Sequence, residues 1–314
     1  MINVKVQGER WFPSETKFSD EMEKIWGKWY CDSEVGKLRA VLLRRPGKEI
    51  EMVNEQNYSE FRWKSWMDVE KARAQHDKMA QIYREHGVEV YYVEEQREDR
   101  PNALYMRDLV FMTPEGAIVC RPAIAARRGE EKYAAQALSK LGVPIIKTIN
   151  GDGYFDGACA MWVDRHTVII GTGARANKEG AEQVENELRN MGVTDIIRMG
   201  IPYGHAHLDG LLNFVDKKTV LLFPWQVPYD LVKPLLDRGF KVIEATDIEE
   251  IKVKMAINVV ALEPGKILMP ANCPNTKAKL EEEGIEVIEV ELDEIIKGWG
   301  ALHCMTAFLK RDPI

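Results

Sequence analysis

Four short segments carry residue types from which a reactive site can be built. Residues 298–306 read GWGALHCMT. Glycines let a backbone turn sharply and approach a ligand closely. A cysteine soon after them, near the chain end, can project its sulfur into a cleft, and an activated thiolate attacks electron-poor carbon. Taken alone, the segment fits a buried cysteine in a terminal strand equally well. Residues 204–210 read GHAHLDG and place His205, His207 and Asp209 at alternating positions. In an extended strand residues two apart share a face, so all three would point the same way. Three polar groups on one face before the apolar LLNFV are costly unless they serve something. One use is a general acid/base histidine beside a substrate-binding carboxylate. NALYMRD and FDGAC each put an aspartate, Asp108 and Asp156, where a loop runs into a strand. Either alone reads as a turn residue or a surface charge.

A second chemistry competes for GHAHLDG. H-x-H-x-D resembles the start of the metal-binding motif of metallo-β-lactamase-like hydrolases. That motif continues with a second histidine, where this chain has Gly210. The other histidines are His76, His86, His166 and His303, and none sits in a ligand cluster. No metal or cofactor is therefore expected. The cysteines, Cys31, Cys120, Cys159, Cys273 and Cys304, are odd in number and never spaced C-x-x-C. That spacing argues against a disulfide framework or a structural zinc.

The elements that must position these residues recur in one order. A pair of strands leads into an amphipathic helix, and a further strand follows. Strand Gly36–Arg45, helix Val69–His86 and strand Val88–Val93 form the first unit. The second has Asp108–Met112, Ala117–Arg121, helix Gly129–Leu141 and Pro144–Thr148. The third has Ala158–Val163, Thr167–Gly171, helix Lys178–Met191 and Asp195–Met199. The fourth has Leu211–Val215, Thr219–Phe223, helix Pro228–Arg238 and Val242–Ala245. The fifth has Asn258–Leu262, Lys266–Met269, helix Thr276–Glu283 and Glu286–Val290. Helices rest on apolar spacing near 3.6, and strands on β-branched runs bounded by turn residues. About five units at a period of roughly fifty residues suggest a closed radial assembly acting as one domain over 36–314; an open mixed α/β fold is the alternative. In a closed ring the edges carrying Asp108, Asp156, His207 and Cys304 converge. Residues 1–35 stand outside the repeat. Trp11, Trp26 and Trp29 make them aromatic-rich for a tail, which argues for a packed arm or a homo-oligomer contact.

Composition narrows the partners. The chain has 314 residues, 45% hydrophobic and 30% charged, as ordinary globular proteins do. No stretch approaches the roughly eighteen apolar residues of a membrane span, and the N-terminus has no signal architecture, so a cytoplasmic location is the expectation. The net charge is −7 with no basic run. Nucleic acid is a poor partner, and a small cationic substrate is favoured.

Together the four segments resemble the guanidino-group modifying enzymes: arginine deiminase, dimethylarginine dimethylaminohydrolase and the amidinotransferases. NALYMRD is similar to their N-x-x-F-T-R-D segment, with Asn102, Arg107 and Asp108 in register. FDGAC with GTGARANKEGAE is similar to [E/D]-G-G-D…G-x-S-x-R-T-N, with Asp156, Gly157, Arg175 and Asn177 in register. HLDG and GALHCMT are similar to H-x-D and G-G-x-x-C-x-T. The resemblance spans residues 102–306 and implies a five-bladed α/β propeller. It implies Cys304 as nucleophile, His207 as general acid/base and Asp156 as its orienting carboxylate. It further implies Asp108 and Asp209 as holders of the guanidinium. Asn102, Arg175, Arg107 and Arg127 or Arg128 become candidates for the rest of the substrate; Arg107 could instead brace its loop. His303, if on a strand beside Cys304, would face away from the pocket, and His205 has no assigned role. No metal or organic cofactor is implied. The expected activity is hydrolysis of the guanidino group of arginine or a substituted arginine through an amidino-thioether; the alternative is transfer of that group to an amine. Cys159 departs from the family pattern, which has Asp there, and Asp156 stands where deiminases have Glu.

Overall fold

The computed structural model describes residues 13–314. Helix α1 (Phe18–Ile25) precedes the repeats, and Trp11 lies outside the described residues. The first sheet opens with β1 (Leu38–Leu43), α2 (Val69–Glu85) and β2 (Glu89–Tyr92). The second holds β3 (Val110–Thr113), β4 (Gly116–Val119), α3 (Glu130–Leu141) and β5 (Ile145–Thr148). The third holds β6 (Ala160–Asp164), β7 (Thr167–Thr172), α4 (Lys178–Asn190) and β8 (Asp195–Gly200). The fourth holds β9 (Leu212–Asp216), β10 (Thr219–Leu222), α5 (Tyr229–Asp237) and β11 (Lys241–Glu244), followed by α6 (Ile248–Lys252). The fifth holds β12 (Val260–Glu263), β13 (Lys266–Pro270), α7 (Pro274–Glu282) and β14 (Glu286–Val290), followed by α8 (Leu302–Met305) and β15 (Ala307–Arg311).

These strands form five three-stranded sheets, a mixed α/β arrangement consistent with the expected fivefold repeat. In each, an antiparallel pair is extended by a strand running parallel to the middle one, as a helical crossover requires. The first sheet takes its antiparallel member from the chain end, where β15 pairs with β1. Burial falls across each sheet. β3 is buried at every residue, whereas β5 is exposed or half-buried throughout. The core therefore sits at the first strand of each sheet, and chain entering that strand is aimed inward.

That entry differs from the sequence expectation. The strands expected to start at Asp108, Ala158 and Leu211 start later. A single 3₁₀ turn comes first in each case: Met106–Asp108, Gly157–Cys159 and Leu208–Gly210. The fifth-to-first entry is the single helical turn α8. Short apolar runs do not distinguish such a turn from one more strand residue. The turns matter because they carry the chemistry.

The N-terminal segment joins the core at its end. Tyr30 bridges to Lys310, Trp29 meets Tyr91 edge-on, and Cys31 N–H donates to the Thr113 carbonyl. Asp32, Ser33, Glu34 and Val35 are buried. No helix among the described residues is long and apolar enough to cross a membrane.

Candidate active site

The entry turns converge on one hollow. A cavity of about 970 Å³ is lined by Arg62, Trp63, Arg175, His207, Asp209, Lys252, Trp299 and Cys304, among others. A recess of about 70 Å³ shares Arg175, His207 and Cys304 and reaches Asn102, Asp108 and Arg127. Glycines 298 and 300, beside the cysteine turn, serve a purpose other than the expected approach to a ligand. A Cβ on Gly300 would stand 2.2 Å from the Tyr105 ring, and one on Gly298 2.1 Å from its hydroxyl. They let Tyr105 pack under the turn, where its hydroxyl donates to the Ile295 carbonyl.

Two histidines are each gripped by carboxylates. His207 lies with Nε2 2.9 Å from Asp156 Oδ2 and Nδ1 3.5 Å from Asp108 Oδ1. Asp156 also accepts from Ala123 N–H, and Arg175 stands 3.6 Å from it. Burial pushes the His207 ring down, but the charge of Asp108 and the hydrogen bond and charge of Asp156, with Asp209 beyond, outweigh it. Its pKa is raised, so the two carboxylates favour the charged form of the ring. Burial pushes Asp156 up; the bond and charge of His207, with Arg175 and Arg127, win and hold it down.

His303 has Nδ1 3.0 Å from Asp209 Oδ2 and Nε2 3.4 Å from Glu34 Oε2. It is buried and makes its bonds behind the cavity wall, on a helical turn and not on the expected strand. Asp209 is raised by burial but lowered more by His303, to about 2. The Cys304 thiol donates to the same Asp209 oxygen at 3.2 Å. Burial, then Asp209 and Asp108, push that thiol well above its ordinary value. Resting Cys304 is thus a neutral thiol facing carboxylates.

The other candidates divide. Arg175 lines the cavity. Asn102 borders the recess, but its side chain is committed: Oδ1 accepts from Trp63 Nε1 at 2.7 Å, and Nδ2 donates to the Phe61 carbonyl. Asn102 pins the 58–63 segment that walls the cavity. Arg128 is not brought to the hollow; its guanidinium donates to the Pro122 and Ala123 carbonyls of its own loop. Arg127 takes the place next to the recess. It is buried, pairs with Asp108 and Glu130, and donates to the Asn102 and Tyr105 carbonyls. Arg107 is equally removed from substrate. Its guanidinium donates to the Val110, Gly157 and Ala160 carbonyls and faces Glu34 at 3.4 Å. It braces two entry turns, and Arg107→Met, which strands Glu34 without its cation, should cost about 3–5 kcal/mol of stability by denaturant unfolding. Cys159 is buried away from the cavity lining, its thiol raised by burial.

His205 and His207 lie in irregular chain before the Leu208–Gly210 turn, not on the expected strand, and both line the cavity. His205 Nε2 lies 2.8 Å from Lys252 Nζ. Among the described residues, the side chains with metal-ligand spacing are instead Asp108, Asp156 and His207, all ligand atoms within 4.8 Å of one another. That set shares only His207 with the H-x-H-x-D pattern. The charged form of His207, which these two carboxylates favour, would balance their charge. Sequence reading missed Glu34 and Asn258. Asn258 lies at the entry to β12 and donates to Cys304 Sγ at 3.2 Å. An isolated Asn before an apolar run carries no distinctive signal, and Glu34 sits in the segment set aside as an arm.

Residues 50–311 match the family model described as N,N dimethylarginine dimethylhydrolase, eukaryotic. The chain belongs to this family. With it goes membership of the guanidino-group modifying superfamily. Among family relatives, the dimethylarginine dimethylaminohydrolase of Pseudomonas aeruginosa is 27% identical over 66% of this chain and 76% of its own. A structure of that enzyme, a cysteine-to-serine mutant with citrulline, matches with a TM-score of 0.71 over 87% of this chain and 100% of its own, at 24% identity. A 2-nitroimidazole nitrohydrolase from Mycobacterium sp. (strain JS330) is 24% identical over 93% of this chain and 85% of its own. The fold is shared by an amidinotransferase of saxitoxin biosynthesis from Microseira wollei, with a TM-score of 0.75 over 91% of this chain and 98% of its own at 15% identity. The relatives support guanidino C–N hydrolysis as the family's general activity.

Proposed function

We propose that this family member is a cysteine-dependent hydrolase of the guanidino group of arginine or a substituted arginine, acting through an amidino-thioether on Cys304. The observation that carries this reading is that Cys304, His207 and the carboxylates Asp108 and Asp209 border one hollow. Asp108 Oδ1 is buried and accepts no hydrogen bond, and both protein bonds to Asp209 fall on Oδ2. Asp209 Oδ1 thus has no hydrogen-bond partner among the described residues, and Asp108 Oδ1 has only the ionic contact with His207 Nδ1 at 3.5 Å; guanidinium N–H groups at these two oxygens would hold the carbon over sulfur.

A bound guanidinium offsets the two carboxylates that keep the thiol neutral. The proton then leaves through Asp209 Oδ2 to cavity water, and Sγ attacks the carbon as the C=N pair moves onto nitrogen. The His207 imidazolium gives its proton to the departing amine as the C–N bond breaks, leaving the thioether. Neutral His207 next takes a proton from water, whose oxygen attacks the same carbon. The C–S bond breaks, releasing a ureido product and the sulfur. Asp156 keeps the ring oriented throughout.

We read the five sheets as blades of a closed propeller, a reading supported by the β15–β1 pairing that joins the chain's end to its first sheet. The five free cysteines suit a reducing, cytoplasmic setting. Incubation with arginine, methylarginines, agmatine and 2-nitroimidazole, with products identified, tests the activity. Citrulline or ornithine supports the hydrolase. The open cavity also has room for an acceptor amine, and a new guanidino product formed only with added amine would select the transferase. No turnover of any of these overturns both. Of the cations lining the cavity, Arg62, Arg175 and Lys252, we assign Arg175, which also borders the recess and stands 3.6 Å from Asp156, to an α-carboxylate. Arg175→Ala should raise KM for arginine about tenfold or more and leave agmatine, which lacks that carboxylate, nearly unchanged.

A further inference from the structure

Asn258 occupies an unusual place among the buried side chains. It is 1% exposed and comes from the entry to β12. Each other sheet entry delivers a member of the site: Asp108 before β3, Asp156 before β6, His207 and Asp209 before β9, Cys304 before β15. Asn258 is the contribution of the remaining one. All its side-chain bonds go to the catalytic segments. Oδ1 accepts from the backbone N–H of His303 at 2.9 Å and of Cys304 at 3.2 Å. Nδ2 donates to Cys304 Sγ at 3.2 Å and to the Asp209 carbonyl at 3.3 Å. One amide therefore holds the first turn of α8, the sulfur on it and the turn bearing Asp209.

From this geometry we infer that Asn258 is a catalytic residue: its Nδ2–H is the side-chain donor that stabilises sulfur as it becomes anionic and again as it leaves the thioether. The inference rests on the cysteine mechanism proposed above. The chemical reason is the imbalance around Sγ. Its acceptor is a carboxylate, and Asp108 adds further negative charge, both of which oppose thiolate. A donor to sulfur favours the charged form. Among the described side chains, Asn258 alone supplies one; the Ala301 backbone acts in the same sense. The donor is fixed in advance, because the opposite end of the same amide is anchored to the turn, so no reorganisation is needed when charge develops.

Two variants separate donation from scaffolding. Asn258→Asp keeps an oxygen for the His303 and Cys304 N–H groups and removes the donor. Asn258→Leu removes donor and clamp without adding charge, with Asn258→Ala in its place should the leucine variant not fold. The measurements are the rate of Cys304 alkylation by iodoacetamide from pH 7 to 10, without substrate, and kcat on the substrate found above. The expected result is an alkylation profile displaced to higher pH and a kcat lowered by about tenfold or more in both. Loss in the uncharged variant excludes added charge as the cause; loss in Asn258→Asp excludes the clamp. Wild-type alkylation and turnover in either folded variant overturns the assignment. Alkylation needs no substrate, so this outcome is independent of the proposed reaction, whose own failure would appear as full activity in Cys304→Ala.

Discussion

Cys304→Ala is expected to abolish turnover of every guanidino substrate that the wild-type chain accepts, by more than about 10⁴-fold. Among the described residues, the sulfur is the one thiol bordering both the wide cavity and the narrow recess. Nothing in its surroundings could stand in for it, since the groups next to it are the Asp209 carboxylate and the Asn258 amide. The variant should still fold, because removing one sulfur from a residue that already borders a hollow leaves little new void. It should also still bind substrate, because Asp108 and Asp209, the carboxylates proposed to hold the guanidinium, remain. A companion measurement makes the covalent step visible. Acid quenching of wild-type enzyme during turnover should leave an added mass on the Cys304 peptide equal to the retained amidino group, and the alanine variant should show none. Activity kept in Cys304→Ala but lost on chelation would move the chemistry to the Asp108, Asp156 and His207 cluster and end the thiol mechanism.

The same carboxylates explain why the thiol can be kept idle. Without a substrate cation, burial, Asp209 and Asp108 favour S–H over S⁻. Thiolate then forms chiefly when a substrate brings compensating charge. Protection from adventitious oxidation follows from the same physics, since oxidation proceeds through the thiolate.

Much of this was legible because the fold repeats. Apolar periodicity and turn residues located the main helix of each unit and all its strands except β15 of the first sheet, with the short helices α6 and α8 unseen, and position within a unit told which edges meet. The site carboxylates Asp108 and Asp156 were legible for that reason, not by their local sequence. What stayed hidden was local geometry at the strand entries. Irregular chain before the Leu208–Gly210 turn replaces the expected strand and leaves His205 against Lys252, and α8 sets His303 and Cys304 on one turn rather than on opposite strand faces. Both depend on two or three residues whose types suit strand and turn alike. Long-range pairings were hidden for a different reason. Adjacent arginines 127 and 128 are chemically equal in sequence, yet one is buried against Asp108 and the other spends itself on its own loop. Glu34 finds its partners, Arg107 and His303, far along the chain, and no spacing rule reports a contact of that kind.

His207→Ala should lower kcat by about 10²–10⁴-fold, with the adduct on Cys304 either failing to form or failing to discharge. Asp156→Asn is the sharper test, because it leaves the imidazole in place and changes its protonation. Asp156 contributes both a hydrogen bond and a negative charge that raise the His207 pKa. The asparagine removes the charge, and the desolvation that pushes the ring down is then less opposed. The sign follows directly. In the wild type, activity that needs imidazolium as acid falls as pH rises through the raised pKa. In Asp156→Asn that alkaline limb should move to lower pH, and kcat at neutral pH should fall because less of the acid form remains. Asp108 still faces Nδ1 at 3.5 Å, so the displacement should stop short of a fully unpaired buried histidine. The pH dependence of kcat/KM for both proteins, read beside an NMR titration of the His207 ring, measures the shift. An alkaline limb that stays put while the ring titration moves would show that His207 does not supply the proton to the departing amine. It would leave the histidine only a charge-balancing part between Asp108 and its neighbour.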